Sequence, residues 1–149
     1  MVVMENVRNF INGKLPSKDK VIDVVERKLK AKGYHVNTKI LFAPDFGVPQ
    51  SRTRVFVFAI KKDQRLEIPE LIATHGEGLI PYVTVQDAIS DLPYIEAHEG
   101  YESSPELFKY RKVKLSDYQI QMRKNSPGIF NHVAMKHTPR LIERYKLIP

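Results

Sequence analysis

The chain has 149 residues, of which 42% are hydrophobic and 28% charged, with no cysteine and a formal net charge of +7. That size suits one domain or slightly more. The lack of thiols excludes disulfides, thiolate metal sites and a cysteine nucleophile from this chain, in keeping with an intracellular, cytoplasmic setting. No run approaches the ~20 apolar residues that span a bilayer, so no membrane association is expected. The positive balance suits a polyanion such as nucleic acid, and equally suits plain solubility.

Val2-Val3-Met4 is a short apolar run that reads as a buried strand, with Glu5-Asn6-Val7 emerging at its C-terminal end. Asn12 to Pro16 is a turn cluster. Ser17 offers an N-cap, Asp19 sits in the first turn, and Val21, Val24, Val25 and Leu29 follow helical spacing, with Gly33 as a stop. An amphipathic helix is therefore predicted from Ser17 to about Lys32. Tyr34 to Ala43 is rich in β-branched and apolar residues and reads as a strand. Pro44 to Pro49 is a loop. Arg54 to Lys61 is almost continuously apolar, so a strand covered on both faces is expected. The segment joining these two strands has no helical pattern and is too short for a parallel crossover, so they should pair antiparallel.

Beyond Lys62 the character changes. The stretch from Lys61 to Pro81 is loop-like, with Pro69, Gly76, Gly78 and Pro81. Thr84 can cap a helix from Val85 to Leu92 that stops at Pro93, and Tyr94 to Pro105 reads as an exposed connection. Ser116 can cap a helix from Asp117 to Lys124, and Pro139 opens another that runs to Leu147. Two parts are predicted, an α/β half over 1–62 and an irregular, mostly helical half over 63–149.

Two clusters carry the chemistry. Glu5-Asn6-Val7 ends the first strand, and Gly47-Val48-Pro49-Gln50-Ser51-Arg52-Thr53-Arg54 opens the third. A carboxyl group can accept from an amino group on a polar ring and, when protonated, donate to a ring nitrogen. Closure of a pocket around such a group favours that protonated form. Guanidinium groups can hold a ring carbonyl oxygen or a backbone phosphate. Residues two apart at a strand's start share a face, so Arg52 and Arg54 could act together. Taken singly, Glu5 is an ordinary strand-end carboxylate, Arg52 and Arg54 are solvated cations, and Asn6 bonds local backbone. His132 and His137 lie five apart without cysteine or a carboxylate cluster, so no metal site is expected. Arg111, Lys112, Lys114, Arg123 and Lys124 could form either a DNA-facing surface or a solvated face.

Together, in this order and spacing, these clusters resemble the DNA (cytosine-5) methyltransferase family. The resemblance extends through Val83 to Pro93 (VTVQDAISDLP), then to Asn131-His132-Val133, Arg140 to Arg144 and Ile148-Pro149, and is weakest from Tyr94 to Lys114. It implies the C-terminal part of a Rossmann-like S-adenosylmethionine-dependent methyltransferase sheet, mixed and with its last strand antiparallel. The start of a target-recognition region would follow. It implies catalytic roles for Glu5 and Arg54 at the base, and substrate or DNA contacts for Asn6, Gln50 and Arg52, with Arg52 on a phosphate and Gln50 bracing the loop.

The family's reaction uses a cysteine thiolate on ring carbon six and S-adenosylmethionine as methyl donor. The chain has no cysteine, and Gly13, Gly33 and Gly47 are isolated rather than grouped in a cofactor loop, so no cofactor-binding residue is assigned. Three readings follow: a fragment of a complete enzyme, a subunit of a split enzyme completed by a complementary methyltransferase chain, or a non-catalytic DNA-binding module. In the complete enzyme the partners would be double-stranded DNA and S-adenosylmethionine; no cofactor is expected on this chain alone. An unpaired edge on the Val2–Met4 strand would also favour a homo-oligomer.

Overall fold

The computed structural model of the chain describes residues 1–64, 66–96, 99–101 and 109–148. They form two compact units, Met1–Thr84 and Val85–Pro149.

The first unit is built on a three-stranded sheet. β1 (Val2–Val7) leads through a 3-10 turn (Arg8–Ile11) to α1 (Val21–Ala31), then to β2 (Tyr34–Phe42), a second 3-10 turn (Ala43–Phe46) and β3 (Thr53–Lys61). The strand order is β1-β3-β2, and β3 is antiparallel to both neighbours. The antiparallel final strand is thus as expected. The mixed pairing is not found among these strands: β1 and β2 run the same way, but β3 lies between them. β1 also extends through Val7, so Glu5 and Asn6 are inside the strand rather than past its end.

Alternation along β3 sets the core. Val55, Val57 and Ala59 are buried on one face, where α1 is pinned by the Thr38 hydroxyl, which donates to Glu26 Oε1 at 2.7 Å. Thr38 is the cross-strand partner of Val57, so the two share that face. Glu26 also pairs with Lys30 at 2.9 Å, one turn along α1. The hydrogen bond from Thr38 holds the Glu26 carboxyl below its usual value, and that from Lys30 adds to the effect against a small opposing push from burial. On the opposite face Ile60 is buried, and Phe56 and Phe58, stacked with centroids 5.9 Å apart, are partly buried. The expectation that both faces of β3 are covered therefore holds fully on one side and in part on the other.

The helix begins four residues later than predicted. Leu15 N–H donates to the Asp19 carbonyl, Lys14 bridges to Lys20, and Lys18 takes a left-handed φ of 68°. Ser17 is held in that turn, its hydroxyl donating to Asp19 Oδ2, so Lys20 and not Ser17 occupies the N-cap. At the other end Gly33, with φ 82°, follows the last turn as predicted.

In the second unit α2 (Val85–Ile89) is shorter than expected. Two-residue strands β4 (Gly100–Tyr101) and β5 (His132–Val133) pair antiparallel, and α3 (Asp117–Arg123) and α4 (Pro139–Tyr145) follow. The 94–105 connection falls partly outside the described residues; Tyr94, Glu96 and Glu99 are exposed as expected, and Gly100 and Tyr101 form a short strand that was not predicted. Ser116 caps α3 as predicted: its hydroxyl accepts from the Gln119 N–H, and Gln119 Oε1 accepts from the Ser116 N–H. Ile129 is buried together with two polar side chains, Asp91 and Gln119.

Candidate functional site

β1 and β3 bring two of the predicted site residues together. Glu5 stands opposite Phe56, and Arg54 opposite Val7, so both side chains leave the same face as diagonal neighbours. Arg54 Nε lies 2.7 Å from Glu5 Oε1, and Arg54 Nη1 donates to the Thr53 carbonyl at 2.9 Å. The Arg54 side chain is 21% exposed and that of Glu5 46%, so the pair is anchored on its arginine side and open on its carboxylate side. An open carboxylate beside a fixed guanidinium offers an acceptor and donors to a planar polar ring.

The other predicted residues are placed differently. Asn6 points to the opposite face from Glu5, and its Oδ1 accepts from the Val7 N–H at 2.8 Å, the local backbone role that an asparagine there takes by default. Gln50 and Arg52 lie on the exposed loop leading into β3, outside the ladder. Among the described residues neither side chain is held by a hydrogen bond or an ion pair. Arg52 does fix the loop through its carbonyl, which accepts from the Ala43 N–H at 2.8 Å.

Sequence reasoning missed the segment that clasps this loop. The Asp45 carbonyl accepts from the N–H groups of Thr74 and His75, at 2.9 and 3.0 Å. Tyr82 donates its hydroxyl to Asp45 Oδ1 at 3.0 Å. That hydrogen bond to a carboxylate is the main reason the Tyr82 phenol is raised above its ordinary value. Only the turn character of the Gly76–Gly78 stretch was visible beforehand.

The basic residues of the second unit do not all present free charge. Arg123 Nη2 lies 2.6 Å from Asp91 Oδ2, and its guanidinium sits 3.7 Å from the Tyr110 ring centroid. Arg111 donates to the Ser90 carbonyl and lies over the Tyr94 ring. Both are structural, which leaves Lys112, Lys114 and Lys124 as the exposed cations of that group. His132 bonds the Pro93 carbonyl through Nε2 at 2.8 Å.

Gly13, Gly33 and Gly47 are each used separately and are not grouped in one loop. Gly33 stops a helix, Gly13 lies in the turn before α1 with Val21 against it, and the space above Gly47 is filled by the His75 ring.

Comparison with known proteins identifies the family. A family model described as C-5 cytosine-specific DNA methylase matches residues 1–143. The chain is 42% identical over 148 residues to the type II methyltransferase M.DdeI of Desulfomicrobium norvegicum, covering 98% of this chain and 34% of that protein. It is 38% identical over 109 residues to the type II methyltransferase M.AquIA of Picosynechococcus sp., covering 61% of this chain and 43% of that protein. It is 29% identical over 176 residues to the DNA (cytosine-5)-methyltransferase PliMCI of Paracentrotus lividus, covering 99% of this chain and 10% of that protein. The chain thus spans about a third of M.DdeI and less than half of the others. With the family model running through both the Glu5 strand and the Arg54 strand, the chain belongs to the C-5 cytosine-specific DNA methylase family.

Proposed function

We propose that this chain is the cytosine-gripping segment of a DNA (cytosine-5) methyltransferase of the type II restriction-modification kind. The nucleophilic thiolate and the S-adenosylmethionine site would be supplied by residues outside it. The observation that carries the reading is the Glu5–Arg54 pair, 2.7 Å apart and open on the carboxylate side. In this role Glu5 engages the pairing edge of a flipped cytosine, and Arg54 both holds Glu5 and reaches the ring oxygen. Arg52 meets a backbone phosphate, and Gln50 braces the loop. Asn6 supports the strand end from the other face.

Residues 1–62 would then be the C-terminal part of a Rossmann-like methyltransferase sheet. A reversed β3 between two like-directed strands supports that placement. Residues 63–149 would lead into the target-recognition region. The isolated chain is expected to transfer no methyl group, since it has no thiol to form the covalent intermediate. Double-stranded DNA is the substrate of the complete assembly, and a complementary methyltransferase chain is a second partner consistent with the missing parts. The outer edge of β1, which carries no strand partner among the described residues, is where such a chain or a second copy would add.

The test replaces the matched segment of M.DdeI with this chain and follows tritium transfer from labelled S-adenosylmethionine into DNA. The chimaera should methylate DNA, and Glu5→Gln should reduce its rate by about a hundredfold or more, the scale of a lost general acid. A folded chimaera whose rate is indifferent to Glu5→Gln would overturn the reading, as would methyl transfer by the 149-residue chain alone.

A further inference from the structure

Gly47, with φ 76°, ends the second 3-10 turn and starts the run to Gln50 and Arg52. A Cβ at this glycine would meet three atoms of the His75 ring, Cε1 at 2.6 Å, Nε2 at 3.0 Å and Nδ1 at 3.2 Å. The imidazole is therefore seated directly on the Gly47 backbone. Its own position is fixed twice. The Thr74 hydroxyl hydrogen-bonds Nδ1 at 2.9 Å, and the His75 N–H donates to the Asp45 carbonyl at 3.0 Å. Behind it, residues 74–80 close on themselves: Gly76 N–H donates to Ile80, and Ile80 N–H to Thr74. Tyr82 ties the end of this segment to Asp45.

We propose that His75 is a positioning residue, its ring clamped on Gly47 to set the loop that carries Gln50 and Arg52. The inference rests on the proposed role of that loop in gripping DNA. The loop's internal bonds are few: Gly47 N–H to Pro44, Val48 N–H to Ala43 at 3.3 Å, Gln50 N–H to Val48 at 2.8 Å, and Ala43 N–H to Arg52. Gln50 and Arg52 themselves are exposed. The bonds from Thr74, His75 and Tyr82 hold the start of this turn at Asp45, and the His75 ring is what presses on its end at Gly47, where the run to Gln50 and Arg52 begins. The residue touches neither base nor phosphate; it acts through the backbone of Gly47.

Native-state amide exchange on the full 149-residue chain reads the clamp without any assumption about methyl transfer. His75→Ala should speed exchange at Gly47 and Val48 about tenfold while Val55 and Val57 in β3 stay within about twofold. His75→Phe keeps a ring of similar size and should leave the loop close to native. Unchanged loop amides in His75→Ala, or loop and β3 amides accelerating together, would overturn the clamp. So would His75→Phe behaving like His75→Ala. In the M.DdeI chimaera, His75→Ala should raise KM for DNA about tenfold with kcat at saturating DNA changed less than about twofold. An equal fall in kcat and kcat/KM would remove the link to DNA. If Glu5→Gln leaves the chimaera active while the exchange result stands, the DNA reading fails and the clamp survives.

Discussion

Glu5 Oε1 lies 2.7 Å from Arg54 Nε although neither residue is the other's partner in the ladder; Glu5 faces Phe56 and Arg54 faces Val7. The contact is diagonal, made possible by the length of the arginine and by the antiparallel register that puts both on one face. With Glu5 nearly half exposed, the pair is worth little to the fold. A Glu5→Gln and Arg54→Met double-mutant cycle in urea should give a coupling of about 0.5–1 kcal/mol. A coupling of several kcal/mol would mean that the pair is structural and not held open for a ligand.

Glu26 ties α1 to β2 through Thr38, and the fold lowers the titration of its carboxyl. A carboxyl depressed in the folded state stabilises the protein above its unfolded value, and that stability is lost as pH falls through the folded value. The thermal midpoint of the chain should therefore drop as pH is lowered from about 4.5, the ordinary value, into the acid range. Glu26→Gln should flatten this part of the profile. A Glu26→Gln profile parallel to that of the native chain would show that the Thr38 bond does not contribute to acid stability.

The two serines placed ahead of helices show what local pattern can and cannot decide. Ser116 caps α3 because the chain enters the helix directly and Gln119 stands at the reciprocating position. Ser17 also stands ahead of an apolar helical run, but Lys20 rather than a Gln or Glu lies three residues on, and the bridge between Lys14 and Lys20 diverts the chain into a separate turn first. Strand type was readable from apolar runs, and the antiparallel final strand from the short connection. Which strand takes the centre was not, because periodicity carries no information about neighbours. Glu5 and Arg54 could be paired in advance only through the family resemblance. The His75 contact depends on a left-handed Gly47 meeting a segment distant in sequence, and no short motif encodes it. Gly100 was likewise invisible as a strand residue. Its φ of 110° and the absence of a Cβ let its backbone press against His132, a contact that any side chain would break.

Asp91 is a carboxylate with a side chain only 4% exposed, satisfied by Arg123 and by the Gln119 side-chain amide at 3.1 Å. Removing the guanidinium leaves a buried charge without its partner, which costs about 3–5 kcal/mol. Arg123→Ala should therefore unfold the second unit at much lower urea, and lose the contact with Tyr110 as well. Arg123→Ala combined with Asp91→Leu should recover a substantial part of the loss, since the stranded charge is gone. If the double variant is no better than Arg123→Ala alone, packing of the arginine stem matters more than the charge.

The arginines of this chain divide into committed and available ones, and salt dependence separates them. Arg123 and Arg111 spend their guanidinium groups inside the second unit, whereas Arg52 is exposed, with no side-chain bond among the described residues. A cation that neutralises one phosphate contributes about 0.9 to the slope of log affinity against log salt. In the M.DdeI chimaera, Arg52→Ala should lower that slope by about one and weaken binding similarly at every DNA sequence. A variant at Arg111, replaced by methionine to keep its length over Tyr94, should leave the slope alone. The comparison works because both substitutions remove the same formal charge. A uniform effect of net charge would move the two slopes together, and that result would remove Arg52 from the DNA contact.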